Sequence, residues 1–110
     1  MNNITNDSHN VLCILYKAYL EKRKSGESKS QAIDFPSYEL FRKDYIPKLH
    51  PDDMHIAIIE LKNNDYVKMF TDGGFKLTDQ AIALMENEFK NNLSNVIDFV
   101  NNLPILRKIL

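Results

Sequence analysis

Few side chains in this 110-residue chain are placed to do chemistry. Cys13 is the single thiol. It sits inside the apolar run VLCILY with no evident histidine partner, which predicts a buried, inert thiol and not a nucleophile. His50, Asp53 and His55 lie close together. A helix-borne metal site needs its ligands on one face; spacing i, i+4 provides that and i, i+5 does not. These histidines are expected at a turn and on the surface, with no metal bound. There is no G-x-S-x-G elbow, phosphate-binding loop, dinucleotide glycine set or paired-cysteine motif. The expectation is a protein with no catalytic residue and no cofactor, and not an enzyme.

The element best placed to organise the chain is the stretch 50–84, HPDDMHIAIIELKNNDYVKMFTDGGFKLTDQAIAL. Pro51 suits a first helical turn, and Asp52 and Asp53 put negative charge where the helix dipole favours it. Met54, Ala57, Ile58 and Leu61 recur at i, i+3, i+4, i+7, one apolar helical face. The run Asn63-Asn64-Asp65 ends that helix, since Asn tolerates a left-handed cap. Residues 66–70 have the β-branched and aromatic content of a strand, and 71–74 (TDGG) a tight turn. Residues 75–78 are the return strand. Alternation points Val67, Met69, Phe75 and Leu77 to the core and Lys68 and Lys76 to water. Thr78 is placed to cap the next helix.

The segment AIIELKNNDYV…DGGFKLTDQAIALME resembles the winged helix-turn-helix regulators of the MarR and PadR kind. In those proteins a helix ending in leucine, a short polar stretch, a hydrophobic strand, a glycine-containing wing and an "LT" opening a long helix follow in that order. The resemblance spans residues 32–90 and lies in element order and core spacing. It implies a mainly α (α+β) fold, a winged helix-turn-helix with a small antiparallel sheet and a long C-terminal helix. It also implies double-stranded DNA as partner, with the 50–63 helix in the major groove and the wing on the backbone or minor groove.

The residues suited to such contacts are Arg42, Lys43, Lys48, His55, Lys62, Asn63, Lys68 and Lys76. Arg, Lys and Asn are the types that neutralise phosphates or read base edges. Asp52, Asp53 and Glu60 on the same helix would repel phosphate, and Ile56 and Ile59 also point outward. Adjacent exposed apolar groups favour a rival expectation, a winged helix that grips a protein through Ile56, Ile59, Tyr66 and Phe70.

The remaining chain must support this unit. Asp7 or Ser8 can cap a first helix, whose stretch 11–20 is apolar on two sides and needs covering on both. The charged end EKRK is a solvated face, the stretch 25–31 a flexible connection, and 32–35 a short strand for the wing hairpin. Pro36 and Ser37 open a helix over 38–45 that Pro47 ends. The last helix, 79–103, carries Ile82, Met85, Phe89, Leu93, Val96, Val100 and Leu103 as a near-heptad seam. Continuous, it would overhang a small domain, which predicts a homodimer through Leu12, Tyr16, Phe89, Leu93, Val96 and Val100. The competing arrangement breaks the helix near Asn91 and Asn92 and folds it back within one chain. Pro104 ends the element, and the short apolar tail 105–110 is expected to tuck against a partner.

Composition sets the outer limits. The length fits one domain, residues 1–110, with a core over about 7–90 and a helical extension beyond. A net charge of −1 exerts no global pull toward nucleic acid or membrane, although a local basic face could exist. One cysteine excludes an internal disulfide and suits a reducing cytoplasm. The polar N-terminus and the short apolar run at 11–16 argue against a signal peptide or membrane span. The abundance of Asn, Lys and Ile fits an AT-rich bacterial or phage genome. The functional expectation is a small DNA-binding transcriptional regulator acting as a homodimer, with the protein-interaction module as the alternative.

Overall fold

In a computed structural model, which describes residues 4–90 and 92–104, the chain is mainly helical with one three-stranded antiparallel sheet. Helix α1 spans Asn6–Lys24, and a short α2 spans Lys29–Ala32. Strand β1 (Asp34–Phe35), α3 (Tyr38–Tyr45) and α4 (Pro51–Asn63) follow. Strands β2 (Val67–Met69) and β3 (Phe75–Leu77) form the hairpin. Helices α5 (Asp79–Phe89) and α6 (Leu93–Asn101) complete the order. The sheet order is β1-β3-β2, with Val67 opposite Leu77, Lys68 opposite Lys76 and Asp34 also opposite Lys76.

Local chemistry accounts for most boundaries. Ser37 caps α3 by accepting from the Leu40 N–H at 3.2 Å, and Thr78 caps α5 by accepting from the Ala81 N–H at 3.1 Å. Pro51 opens α4, and His50 Nδ1 accepts from the Asp52 N–H at 3.0 Å. The left-handed residue after α4 is Asp65, φ +65°, while Asn64 holds the Glu60 carbonyl through its amide at 2.9 Å. Thr5 caps α1, ahead of the expected Asp7 or Ser8, by accepting from the Ser8 N–H at 3.3 Å. The connection 25–31 is more ordered than expected. Ser28 and Gln31 close a reciprocal capping box that starts α2, tying up two backbone donors of the first turn. At the hairpin tip Gly73 takes φ +90°, a conformation that side chains rarely adopt.

The expected long C-terminal helix is two helices. Lys90 adopts the left-handed conformation, φ +57°, and its N–H donates to the Glu86 carbonyl at 2.7 Å, which closes α5. Asn92 then caps α6 by accepting from the Asn95 N–H at 3.2 Å. The reversal lays α6 on α1, and this covers the second apolar side of α1. Leu12, Tyr16, Phe89, Val96 and Val100 are all buried inside one chain, and Leu93 is half-buried. The seam assigned to a second subunit therefore meets α1 and α5 of its own chain. The heptad-like spacing survives because a helix packed on its own chain needs the same stripe as one packed on a partner. The tail 105–110 lies outside the described residues.

One core cluster runs from Val11 to Leu103 and includes both sides of α1, the inner face of α4 and the inner face of the sheet. Phe35 stacks on Phe75 at 5.0 Å and meets Phe41 edge-on at 5.4 Å, which fixes the sheet against α3. Tyr16 stacks between Tyr19 and Phe89; its hydroxyl is buried without a hydrogen-bond partner among the described residues, and burial pushes its pKa up to about 12. No described helix is long and apolar enough to cross a membrane.

Candidate interaction surface

Helix α4 packs on α1 and α3 through Met54, Ala57, Ile58 and Leu61, all buried. That orientation fixes what the helix presents outward. Asp52 and Asp53 are exposed on its first turn, and Lys62 and Asn63 on its last. Between them Ile56 is 64% exposed, the largest exposure of any large apolar side chain described. Ile56 stands between two shallow depressions. One, of about 530 Å³, is lined by Thr5, His55, Ile59, Glu60, Asn63 and Asn64 as well as Ile56. The other, of about 280 Å³, is lined by Thr5, Asp7, Ser8, Asp53 and Ala57 together with the same isoleucine.

The wall between α1 and α4 is built on Glu60. Its carboxylate accepts from the Thr5 N–H at 3.2 Å, from the Thr5 hydroxyl at 2.9 Å and from the Ser8 hydroxyl. The Ser8 hydrogen bond, with smaller contributions from Thr5, holds the Glu60 carboxyl below its ordinary range. The charge also lies at the N-terminus of α1, where the helix dipole favours an anion. Glu60 is thus an anion tying two helices at the edge of the larger depression.

Of the eight residues expected at DNA, Arg42 and His55 are engaged by other side chains or backbone of the same chain. Arg42 is buried against its own loop. Its guanidinium donates to Glu39 at 2.8 and 3.0 Å and to the carbonyls of Pro47 and Leu49 at 3.2 and 2.9 Å. The hydrogen bond from Arg42 lowers the Glu39 pKa. The reason lies in the 46–50 turn: the Pro47 and Leu49 carbonyls lie between two helices, and the planar guanidinium donates to both. Lys43 and Lys48 are exposed on α3 and the following turn. His55 accepts or donates a hydrogen bond with the Tyr38 hydroxyl at 2.9 Å, so it braces α4 on α3. His50 is engaged as the α4 cap, which accounts for both histidines in structural terms.

Lys68 and Lys76 face one another across β2 and β3 on the solvent side of the sheet, as the alternation predicts. Neither is ion-paired among the described residues. Asp34 is the next side chain in the same row. Of the alternative protein-binding set, Ile56 and Phe70 are exposed and Ile59 is half-buried, but Tyr66 is buried in the core. The backbone reverses at Asp65, so β2 proper begins at Val67 and Tyr66 turns inward.

One cluster escaped the sequence reading. Cys13 does have a histidine neighbour: His9, one turn earlier, lies 3.7 Å from its sulfur through Nε2. The same Nε2 is 3.0 Å from Glu88 on α5. The i, i+4 spacing of His9 and Cys13 on α1 was the available signal. The thiol itself is fully buried, as expected, and desolvation first, with the Glu88 charge second, pushes its pKa well up.

Comparison with protein-family models, curated proteins and solved structures returns no match.

Proposed function

We infer that this chain is a winged helix-turn-helix domain that docks a protein through the outer face of α4. The fold reading is supported by the succession α1, β1, α3, α4 and hairpin, with β1 completing the sheet in the order β1-β3-β2. The observation that carries the docking reading is Ile56, two-thirds exposed on the helix that would otherwise enter a DNA groove. Around it lie two depressions, one of them lined by the acidic Asp7 and Asp53. The partner that fits is a protein segment with an apolar anchor flanked by Lys or Arg. Aspartates at the leading turn of α4 and the internal use of Arg42 both weaken phosphate binding.

A second reading, a DNA-binding regulator, is favoured by the facing pair Lys68 and Lys76, with Lys43, Lys48 and Lys62 as further cations. The two readings separate in one comparison. Immobilised wild type, Ile56→Asp and Lys68→Ala/Lys76→Ala are tested for retained proteins, and each is titrated with duplex DNA at about 50 and about 200 mM salt, the range over which phosphate contacts show. The docking reading expects a protein retained by wild type and the lysine variant but lost with Ile56→Asp, whose circular dichroism is unchanged. Submicromolar DNA binding that collapses at high salt and is lost with the lysine variant overturns it.

A further inference from the structure

We propose that His9, Cys13 and Glu88 form a binding site for a divalent transition metal, with zinc as the best-matched ion. The site joins the first turns of α1 to the end of α5, two segments 79 residues apart in sequence. The three donor atoms lie within 4.8 Å of one another. Zinc binds thiolate sulfur at about 2.3 Å and imidazole nitrogen or carboxylate oxygen at about 2.1 Å, so tetrahedral neighbours stand about 3.5 Å apart. The Cys13 sulfur to His9 Nε2 separation is 3.7 Å, and Nε2 to the two Glu88 oxygens is 3.0 and 3.1 Å. Two of the three edges are near tetrahedral spacing, and the third, Cys13 sulfur to Glu88, lies within 4.8 Å and shortens on rotation of the exposed Glu88 side chain.

The surroundings suit an ion. His9 and Cys13 are one helical turn apart on one face of α1, the spacing that aligns two ligands from a single helix. The Phe99 ring of α6 meets the His9 imidazole edge-on at 6.1 Å and holds its plane. Cys13 closes the inner side of the site, while Glu88 lies at the surface and leaves a fourth position open to water. One thiolate, one imidazole and one carboxylate make a borderline donor set, which suits zinc better than the hard ions calcium or magnesium. Binding replaces the Cys13 S–H bond with an S–metal bond and releases that proton to solvent; no electron is transferred. A bound ion would therefore pin α5 to α1 next to the reversal at Lys90.

The test uses tag-free full-length protein, reduced and metal-free, titrated with cobalt(II) as the spectroscopic probe. The expected result is one cobalt per chain with a sulfur-to-cobalt charge-transfer band and the visible bands of a tetrahedral centre. The band is expected to vanish in Cys13→Ala. Glu88→Gln, altered at the surface, carries the test independently of folding in the core. It is expected to weaken cobalt binding by about 10-fold or more, the scale at which even an outer-sphere partner acts. Zinc is expected to displace the cobalt and to raise the thermal midpoint of wild type but not of His9→Ala. Absence of the charge-transfer band in wild type, its survival in Cys13→Ala, or unchanged affinity in Glu88→Gln overturns the proposal.

Discussion

The Ser8 hydroxyl donates to the Glu60 carboxylate, so the start of α1 is tied to the last turns of α4 across 52 residues of sequence. Thr5, which caps α1, donates to the same carboxylate twice. This fixes the angle at which the outer face of α4, with Ile56 and Ile59, is presented.

Glu60 makes the stability of the fold pH-dependent in a definable window. Its folded pKa lies below the ordinary value of 4.5, so its stabilising contribution is complete above that pH and is lost as pH falls through the lower, folded value. Glu60→Gln should lower the thermal midpoint at pH 7, and the gap to wild type should close below pH 4.5. Paired melting curves across that range check it. A gap that persists at low pH would remove the charge from the explanation.

Arg42 and Lys43 are adjacent in sequence and opposite in role. Arg42→Met should leave the Pro47 and Leu49 carbonyls without their donor and lower the thermal midpoint by several degrees. Lys43→Met, at an exposed position, should change stability by no more than about 0.5 kcal/mol. Chemical denaturation distinguishes them, and equal effects would contradict the assignment of Arg42 to the loop.

The facing lysines of the hairpin predict a sign. Like charges directly opposite one another destabilise an antiparallel pair, and opposite charges contribute about 0.2–1 kcal/mol. Lys68→Glu should therefore stabilise the fold by an amount of that order. Lys76→Glu should not, because Asp34 lies opposite it on the other side. Urea midpoints measured at low salt read the difference.

The packing of α6 on α1 makes Val96 a core residue. Val96→Ala should cost about 2 kcal/mol through lost burial and a residual cavity. The midpoint should be independent of protein concentration, since the lost contacts are within one chain. A midpoint that rises with concentration would return this seam to a subunit interface.

The local elements were readable from the sequence. Met54, Ala57, Ile58 and Leu61 defined the buried face of α4, and period-2 alternation put Lys68 and Lys76 on the solvent side of the hairpin. Pro36-Ser37 and Pro51 marked helix starts within a residue of where they occur. Such signals are set by neighbours within a few positions, through side-chain direction and backbone capping. Other features depended on which surfaces meet. The stripe Phe89, Val96, Val100 was the same for a dimer seam and an internal return, and the reversal after the left-handed Lys90 buries it within the chain. The charge of Arg42 named a phosphate ligand as readily as a loop brace, until two backbone carbonyls were found to need its donors. His9 and Cys13 shared a helix face in the sequence, but only the packing of α5 on α1 brought Glu88 to them. Periodicity states that a face is buried; it carries no information about what buries it, because any complementary apolar surface satisfies the same pattern.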